Sequence, residues 1–399
     1  MIDMVVSTLI FGLSFIFVLS LLVFIHEMGH YSVARFFNVS VERFSIGFGK
    51  PLAKWTAKSG TQWMICRIPL GGYVKFLGDA GAASNPDQEQ LKKIKAEMND
   101  KHGQDSWKSC FHFKPLYQRT LVVLAGPMAN FILAALIYMG FAMFLGIPSR
   151  TAVVGAVQPG TVAEAAGFQT GDEIRSINGD KIDKWRDLQQ YVTLRSGEPL
   201  VIMVDREERQ VELNVIPQRT TKTDMVGGKY DGGAIGIVWG GSYSHDYYNL
   251  AEAAGFGVDT VVDSISSTFL YIGRIFKGKE DGKALGGIVK IAAITGKAGM
   301  DASAVDGSVA VKAQAMVLTL LELAAALSVG LGFANLMPIP VLDGGHLVYY
   351  GYEAVMRRPL SERAQEIGFR VGFAALITLF LVLTWNDIGY VPDLFDKTG

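Results

Sequence analysis

Cysteine is nearly absent. Cys66 and Cys110 are the only two among 399 residues, and they form neither a paired metal-binding spacing nor a disulfide framework, so they read as core or surface residues. Charge imbalance is missing too. The 37 basic and 38 acidic side chains leave a formal net charge of -1, which offers no case for a nucleic-acid partner, since that would want a basic face. Residues 1–24 lack the basic opening and the small-residue cleavage site of a secretory signal. Because the most informative motif closes this apolar run, the segment is expected to be a retained spanning helix. What the chain has in quantity is apolar surface: half of its residues are hydrophobic.

From Val5 to Phe24 the chain is almost free of polar groups, and about 20 such residues cross a bilayer as a helix. Phe24-Ile25-His26-Glu27-Met28-Gly29-His30 follows directly. Two histidines four apart face the same way on a helix and can hold one zinc, with Glu27 beside them to take a proton from water at the metal. In a soluble helix such a match is as readily chance as a metal site. Within hydrocarbon an ionisable side chain is costly and is seldom kept without a partner or a task, which favours the metal reading.

After His30 the helix can continue to Phe37, with Asn38 as its terminus. The stretches 44–49 and 63–76 are too short and too polar to span as helices and carry glycine pairs, so they read as strands or hairpins. Backbone of that kind is tolerated at membrane depth only where protein covers it or water reaches it. One use is an edge near the zinc on which an extended peptide is laid as an added strand; the alternative is an ordinary cytosolic hairpin domain. Residues 79–109 turn hydrophilic and read as a solvated loop with a short helix. A second span runs from about Leu121 to Gly146, where Gly126-Pro127-Met128-Ala129-Asn130 interrupts the helix-forming pattern. Asn130 in hydrocarbon needs a partner, either a neighbouring helix or the substrate.

Residues 150–220 read as a soluble unit of short strands, a helix over 161–167 closed by glycine, a turn at Asn178-Gly179, and a helix over 185–193. Ala166-Gly167-Phe168-Gln169-Thr170-Gly171-Asp172-Glu173-Ile174-Arg175-Ser176-Ile177-Asn178-Gly179 resembles the signature of a bacterial PDZ domain, which offers a groove to a peptide strand or carboxyl terminus. The glycine-rich text over 227–257 yields no second domain. Residues 258–276 are amphipathic and suit a membrane surface or the outer face of a bundle, and 285–290 approach a re-entrant or interfacial element.

A third span over 315–336 ends in Asn335-Leu336-Met337-Pro338-Ile339-Pro340-Val341-Leu342-Asp343-Gly344-Gly345-His346. Two prolines within three residues rule out a regular helix there, so the chain unwinds and can turn Asp343 inward. A catalytic zinc wants three protein ligands and one open position. Asp343 is preferred as the third, because an unpaired carboxylate at membrane depth is expensive; His346 is the rival. A fourth span covers about 368–384. Arg35, Arg43, Lys50, Lys54, Lys108, Lys114 and Arg119 lie in one inter-span stretch, and Arg357, Arg358 and Arg363 in another. The termini carry Asp3, Asp387, Asp393 and Asp396. The positive-inside bias therefore puts the 37–116 and 350–365 loops in the cytoplasm, and both termini and the PDZ-like domain outside it. His26, His30 and Asp343 then all fall toward cytoplasmic helix ends.

His26-Glu27-Met28-Gly29-His30, Gly126-Pro127-Met128-Ala129-Asn130 and the Asn335 to Gly344 run closely resemble the site-2 protease family of intramembrane zinc metalloproteases. The overall plan is similar to the RseP-type bacterial regulators of sigma-factor signalling. The resemblance implies that His26, His30 and Asp343 bind Zn2+, that Glu27 is the catalytic base, that Asn130 and Asn335 assist substrate positioning, and that the hairpins form a membrane-associated sheet. It implies a bacterial inner-membrane enzyme whose substrate is a single-span membrane protein, typically an anti-sigma factor already clipped outside the membrane, with the PDZ region excluding uncut protein. Membrane lipids are its surroundings. A single PDZ signature departs from the best-known enterobacterial form and weakens any two-domain size filter.

The fold class expected is an α-helical polytopic membrane protein with four transmembrane helices, a membrane-associated β-hairpin region and an inserted extracytoplasmic PDZ-like α/β domain. Its expected division is a first spanning helix with the zinc motif (1–37), the β-hairpin region (38–83), a cytoplasmic loop (84–116), a second spanning helix (117–147) and the PDZ-like domain (148–222). There follow an extracytoplasmic linker with amphipathic or re-entrant segments (223–310), a third spanning helix with its unwound end (311–349), a cytoplasmic loop (350–366), a fourth spanning helix (367–385) and an extracytoplasmic tail (386–399). Two rivals remain to be separated from a protease. A non-enzymatic receptor or scaffold would use the PDZ-like groove alone, and a zinc transporter would need a ligand-lined route across the bilayer.

Overall fold

A computed structural model of the chain describes residues 2–78, 88–103, 105–223, 229–280, 282 and 284–395. The hydrophilic stretch expected from Asp79 lies outside the described residues as far as 87, as do Gly227, Gly228 and Asp396. Two compact units emerge, Met1–Ile137 with Ile291–Trp385 and Tyr138–Lys290 with Asn386–Gly399.

In the first unit, α1 (Ile2–Phe36) carries the apolar run and continues unbroken through His26 and His30. Asn38 then takes φ 55°, a left-handed conformation that a short polar side chain tolerates. β1 (Val41–Thr56) and β2 (Gln62–Phe76) follow. Each strand bends and lends two segments to one small sheet. Residues 44–46 pair in opposite direction with 72–74 and in the same direction with 63–65, while 53–56 close the far side against 62–65. Phe44 and Trp63 stack at 4.3 Å across it. The 72–74 segment lies against α1, where a Cβ on Gly72 would come within 3.1 Å of the Glu27 side chain. α2 (Gln88–His102) is polar, as the charged 88–100 run predicts. Between it and the next helix Cys110 is wholly buried; burial, with Glu42 nearby, pushes its thiol up to about 11, as suits a core residue.

α3 (Leu116–Phe144), the expected second span, is continuous through Pro127. The ring removes one backbone hydrogen bond, and close packing keeps the helix together: a Cβ on Gly29 of α1 would come within 2.8 Å of both Ala125 and Ala129 of α3.

The second unit contains β3 (Ile147–Arg150), β4 (Val154–Val157), α4 (Val162–Ala166), β5 (Glu173–Ile177), β6 (Asp180–Lys181), α5 (Trp185–Thr193), β7 (Leu200–Arg206) and β8 (Arg209–Val215), then β9 (Gln218–Thr223), β10 (Lys229–Ala234), β11 (Ile237–Trp239), β12 (Tyr243–Asp246) and α6 (Leu250–Phe276). The main sheet has the order β6-β5-β7-β8. Alternate residues Leu200, Ile202 and Val204 point into a core shared with Val154, Ile174, Ile177 and Leu188, the period-two pattern of a half-buried strand. Asn178 and Gly179, at φ 52° and 90°, turn β5 into β6 as a two-residue hairpin requires. The signature's Asp172 is fully buried. Its carboxylate accepts from Arg206 Nε at 2.7 Å and from the Gln169 amide at 2.8 Å, so this residue braces the domain.

The sequence set the PDZ-like domain at 148–222 with a linker beyond it. In the structure β11 pairs with β4, β12 with β3 and β10 with β9, and Ile235 is buried in the same core. Strand pairing thus extends to Asp246; runs of three to six residues among glycines have too little periodicity to be read in advance. The amphipathic 258–276 stretch belongs to α6, which rests on α5 through a 2.7 Å bond from Gln190 to Ser267. Arg274, 2% exposed, is held by Glu198 at 2.6 Å and Glu280 at 3.0 Å, as a buried charge requires.

α7 (Ile288–Ala304) is a regular helix that begins within the 285–290 stretch. Its Gly296 and Gly299 lie against Phe11 and Ser14 of α1. α8 (Val309–Leu336) packs Leu320 and Ala324 on Val18 and Leu22. It stops before the two prolines, and α9 (Asp343–Met356) starts on Asp343 itself, so the unwound link predicted there is present. α10 (Glu362–Phe395) is the last of the described elements. Among the described residues four helices, over Leu9–Phe36, Leu116–Phe144, Val309–Leu336 and Arg363–Ile388, are long and apolar enough to cross a membrane.

α9 is tied to α3 by a part-buried ion pair. Arg119 donates to both carboxylate oxygens of Glu353, at 2.6 and 3.2 Å, and its side chain is only 9% exposed. Breaking a fully buried pair typically costs about 3–5 kcal/mol; with Glu353 only partly buried, the cost here falls below that range. Arg119→Met and Glu353→Gln are each expected to lower the thermal unfolding midpoint in detergent, and the double substitution by less than the sum of the two. Strict additivity would show that the pair is not coupled.

Candidate metal centre

α1 presents His26 and His30 one turn apart, and the start of α9 brings Asp343 to them. His26 Nε2 lies 3.3 Å and His30 Nε2 3.4 Å from the same oxygen, Asp343 Oδ2, and the two nitrogens are 3.2 Å apart. Ligands at about 2.0–2.2 Å from a tetrahedral zinc stand about 3.3–3.6 Å from one another, so all three edges suit one face of that tetrahedron. Among the described residues Asp343 Oδ2 is buried without a hydrogen-bond partner. An orphaned carboxylate oxygen between two imidazole nitrogens fits a cation. Among the described residues these three form the one group of His, Cys, Asp and Glu able to hold a metal ion.

The site's floor is α3. His30 Nδ1 donates to the Val122 carbonyl at 2.8 Å, which leaves Nε2 bare for a metal. His26 Nδ1 is 3.2 Å from the Asn130 side chain. Midway between them, a Cβ on Gly126 would strike His30 Nε2 and come within 2.9 Å of His26 Cε1. Residues 122, 126 and 130 are spaced i, i+4 and i+8, one face of a helix, and they serve His30, both rings, and His26 in turn.

Glu27 is 9% exposed, and its carboxylate accepts from the Val74 backbone N–H on the sheet segment beside α1. The remaining sequence candidates divide. Asp343 joins the two histidines. His346 does not, and its ring stands edge-on to Tyr349 at 6.3 Å. Asn130, fully buried, is at His26. Asn335 is half-buried in the last turn of α8 and outside the polar contacts just described. Two contributors escaped the sequence. The Val122 carbonyl carries no side-chain signal, and Gly126 could be read there only as a residue for close helix packing.

The chain matches the model of peptidase family M50 over residues 14–379, a span that includes every residue of this centre. It is 40% identical to the metalloprotease MmpA of Caulobacter vibrioides over 99% of each chain. It is also 42% identical to a putative zinc metalloprotease of Agrobacterium fabrum over 94% of each. A putative zinc metalloprotease of Rickettsia conorii is 34% identical over 94% of this chain and 98% of its own.

Proposed function

From the premise that this chain belongs to peptidase family M50, and is therefore a zinc-dependent intramembrane protease of the site-2 protease group, we propose how its own residues perform the reaction and on what. The observation that carries the reading is the convergence of His26, His30 and Asp343 at 3.2 to 3.4 Å, at the end of a spanning helix. We assign these three to hold the zinc. When bound, zinc polarises a scissile carbonyl and makes water acidic enough to lose a proton near neutral pH. Glu27 is the base that accepts that proton and hands it to the departing amide nitrogen. Its bond from Val74 orients the carboxylate beside the sheet.

The substrate is the transmembrane segment of a single-span membrane protein, in the bacterial setting an anti-sigma factor already shortened outside the membrane. A transmembrane helix hides its amides in its own hydrogen bonds, so it must unwind before attack. The 72–74 segment next to Glu27 supplies main-chain groups on which an unwound segment adds as a strand, offsetting the bonds it loses. Asn335, at the end of α8, supplies a further amide to that segment. Basic residues near the 37–116 and 350–365 stretches favour a cytoplasmic position for the zinc and an extracytoplasmic one for the PDZ-like domain, in the bacterial inner membrane.

The test is cleavage of short-tailed single-span peptides by the purified chain in detergent, before and after zinc is stripped with a chelator. Product is expected from the zinc-loaded protein, none from the stripped protein, and recovery on adding zinc back. Equal product with and without zinc would overturn the assignment.

A further inference from the structure

Asn130 is 0% exposed. Its amide nitrogen stands 3.2 Å from His26 Nδ1, and its carbonyl oxygen is buried with no hydrogen-bond partner among the described residues. That arrangement is chemically inconsistent with a metal on His26 Nε2. A neutral imidazole has one bare nitrogen and one N–H. If Nε2 gives its lone pair to the zinc, Nδ1 carries the hydrogen, and an N–H cannot pair with an amide NH2. The nitrogen and oxygen of an amide are nearly alike in shape, and which one faces a neighbour is decided by the hydrogen bonds available. Turning the Asn130 amide over puts its oxygen on Nδ1–H and removes the orphaned acceptor.

We infer that Asn130 is a positioning residue of the metal centre: its carbonyl oxygen accepts from His26 Nδ1–H, which holds the ring in the tautomer and orientation that present Nε2 to the zinc. The inference rests on the proposed reading of His26 as a ligand, and it gives Asn130 a role other than contact with substrate. Its counterpart is the Val122 carbonyl, which accepts from His30 Nδ1 at 2.8 Å. Both histidines are thereby set from one face of α3, eight residues apart. Asn130 is itself anchored, because Ser328 Oγ of α8 donates to its backbone carbonyl at 2.8 Å. α8 thus reaches the metal centre through Asn130, with no ligand of its own.

The two roles make opposite demands on the amide. Orienting His26 needs an acceptor, whereas binding a substrate carbonyl needs a donor. Asn130→Asp keeps the acceptor and loses the donor; Asn130→Leu loses both. Zinc affinity of the purified full-length protein is measured by competition with a chromophoric chelator, together with KM for one single-span model peptide at saturating zinc. Loss of such an outer hydrogen bond typically weakens metal binding about 10- to 100-fold. Asn130→Leu is expected to show that loss, and Asn130→Asp to hold zinc within about threefold of wild type, with KM unmoved in both. Unchanged zinc affinity in both variants with a raised KM would overturn the inference in favour of substrate contact. Equal weakening in both would overturn it as well, and if the Leu variant does not fold, weakening in the Asp variant alone does so. His26→Ala separates the inference from its premise. Zinc affinity unaffected by His26→Ala removes His26 as a ligand, while loss there beside unchanged Asn130 variants leaves the metal reading intact and removes only the role given to Asn130.

Discussion

Replacing Glu27 by Gln is expected to slow peptide cleavage by about 10²- to 10⁴-fold, the usual contribution of a positioned general base, while zinc content stays at the wild-type level. Gln has nearly the same shape, and its carbonyl oxygen can still accept from the Val74 N–H that holds Glu27, so the fold around the 72–74 segment should persist. What disappears is the capacity to take up a proton. Glu27 lies next to His26 in α1 but is not one of the three groups that converge, which is why metal content and rate should part company. Single-turnover cleavage in detergent, with zinc measured on the same sample, reads both. A full rate with zinc bound would remove Glu27 from the chemistry. Loss of zinc along with the rate would make it part of the metal site.

Gly126→Ala should cost zinc binding and spare the helix. The added methyl would strike His30 Nε2 and press on His26 Cε1 at 2.9 Å, so one or both rings must swing away from Asp343. Forcing an extra carbon into a packed site typically costs about 1–3 kcal/mol, or about 10- to 100-fold in zinc affinity when the strain falls on the ligands. Ala is a better helix former than Gly by about 1 kcal/mol, so α3 should not be weakened. Gly140→Ala is the control, since a Cβ there meets nothing within 4 Å, and zinc affinity should not change. Equal zinc affinity in the two variants would show that both rings can take up the added methyl without leaving Asp343.

Much of the architecture was legible because the physics involved is local. Long apolar runs specify spanning helices, and all four expected from the sequence are present among the described residues. The i, i+4 histidines need only a helix to share a face, and the paired prolines need only their missing N–H groups to end α8 before Asp343. Long-range strand pairing was less accessible. Residues 229–246 fold back on β3, β4 and β9, and β1 and β2 bend so that residues 44–46 are flanked by two segments of β2. Neither pairing has a short-range signature.

The same division runs through the metal centre. From the sequence alone came His26, Glu27 and His30, whose spacing on one helix is sufficient, and a choice between Asp343 and His346 as the third ligand. Positions i and i+3 share a helix face, so spacing does not separate the two; folding alone brings Asp343, at the first turn of α9, to within 3.4 Å of both imidazoles. Tertiary structure alone also decided what stands behind the ligands. The Val122 carbonyl, the gap at Gly126 and the Asn130 amide become one surface when α3 packs against α1, and a surface shared by two helices distant in the chain has no period that a sequence can display.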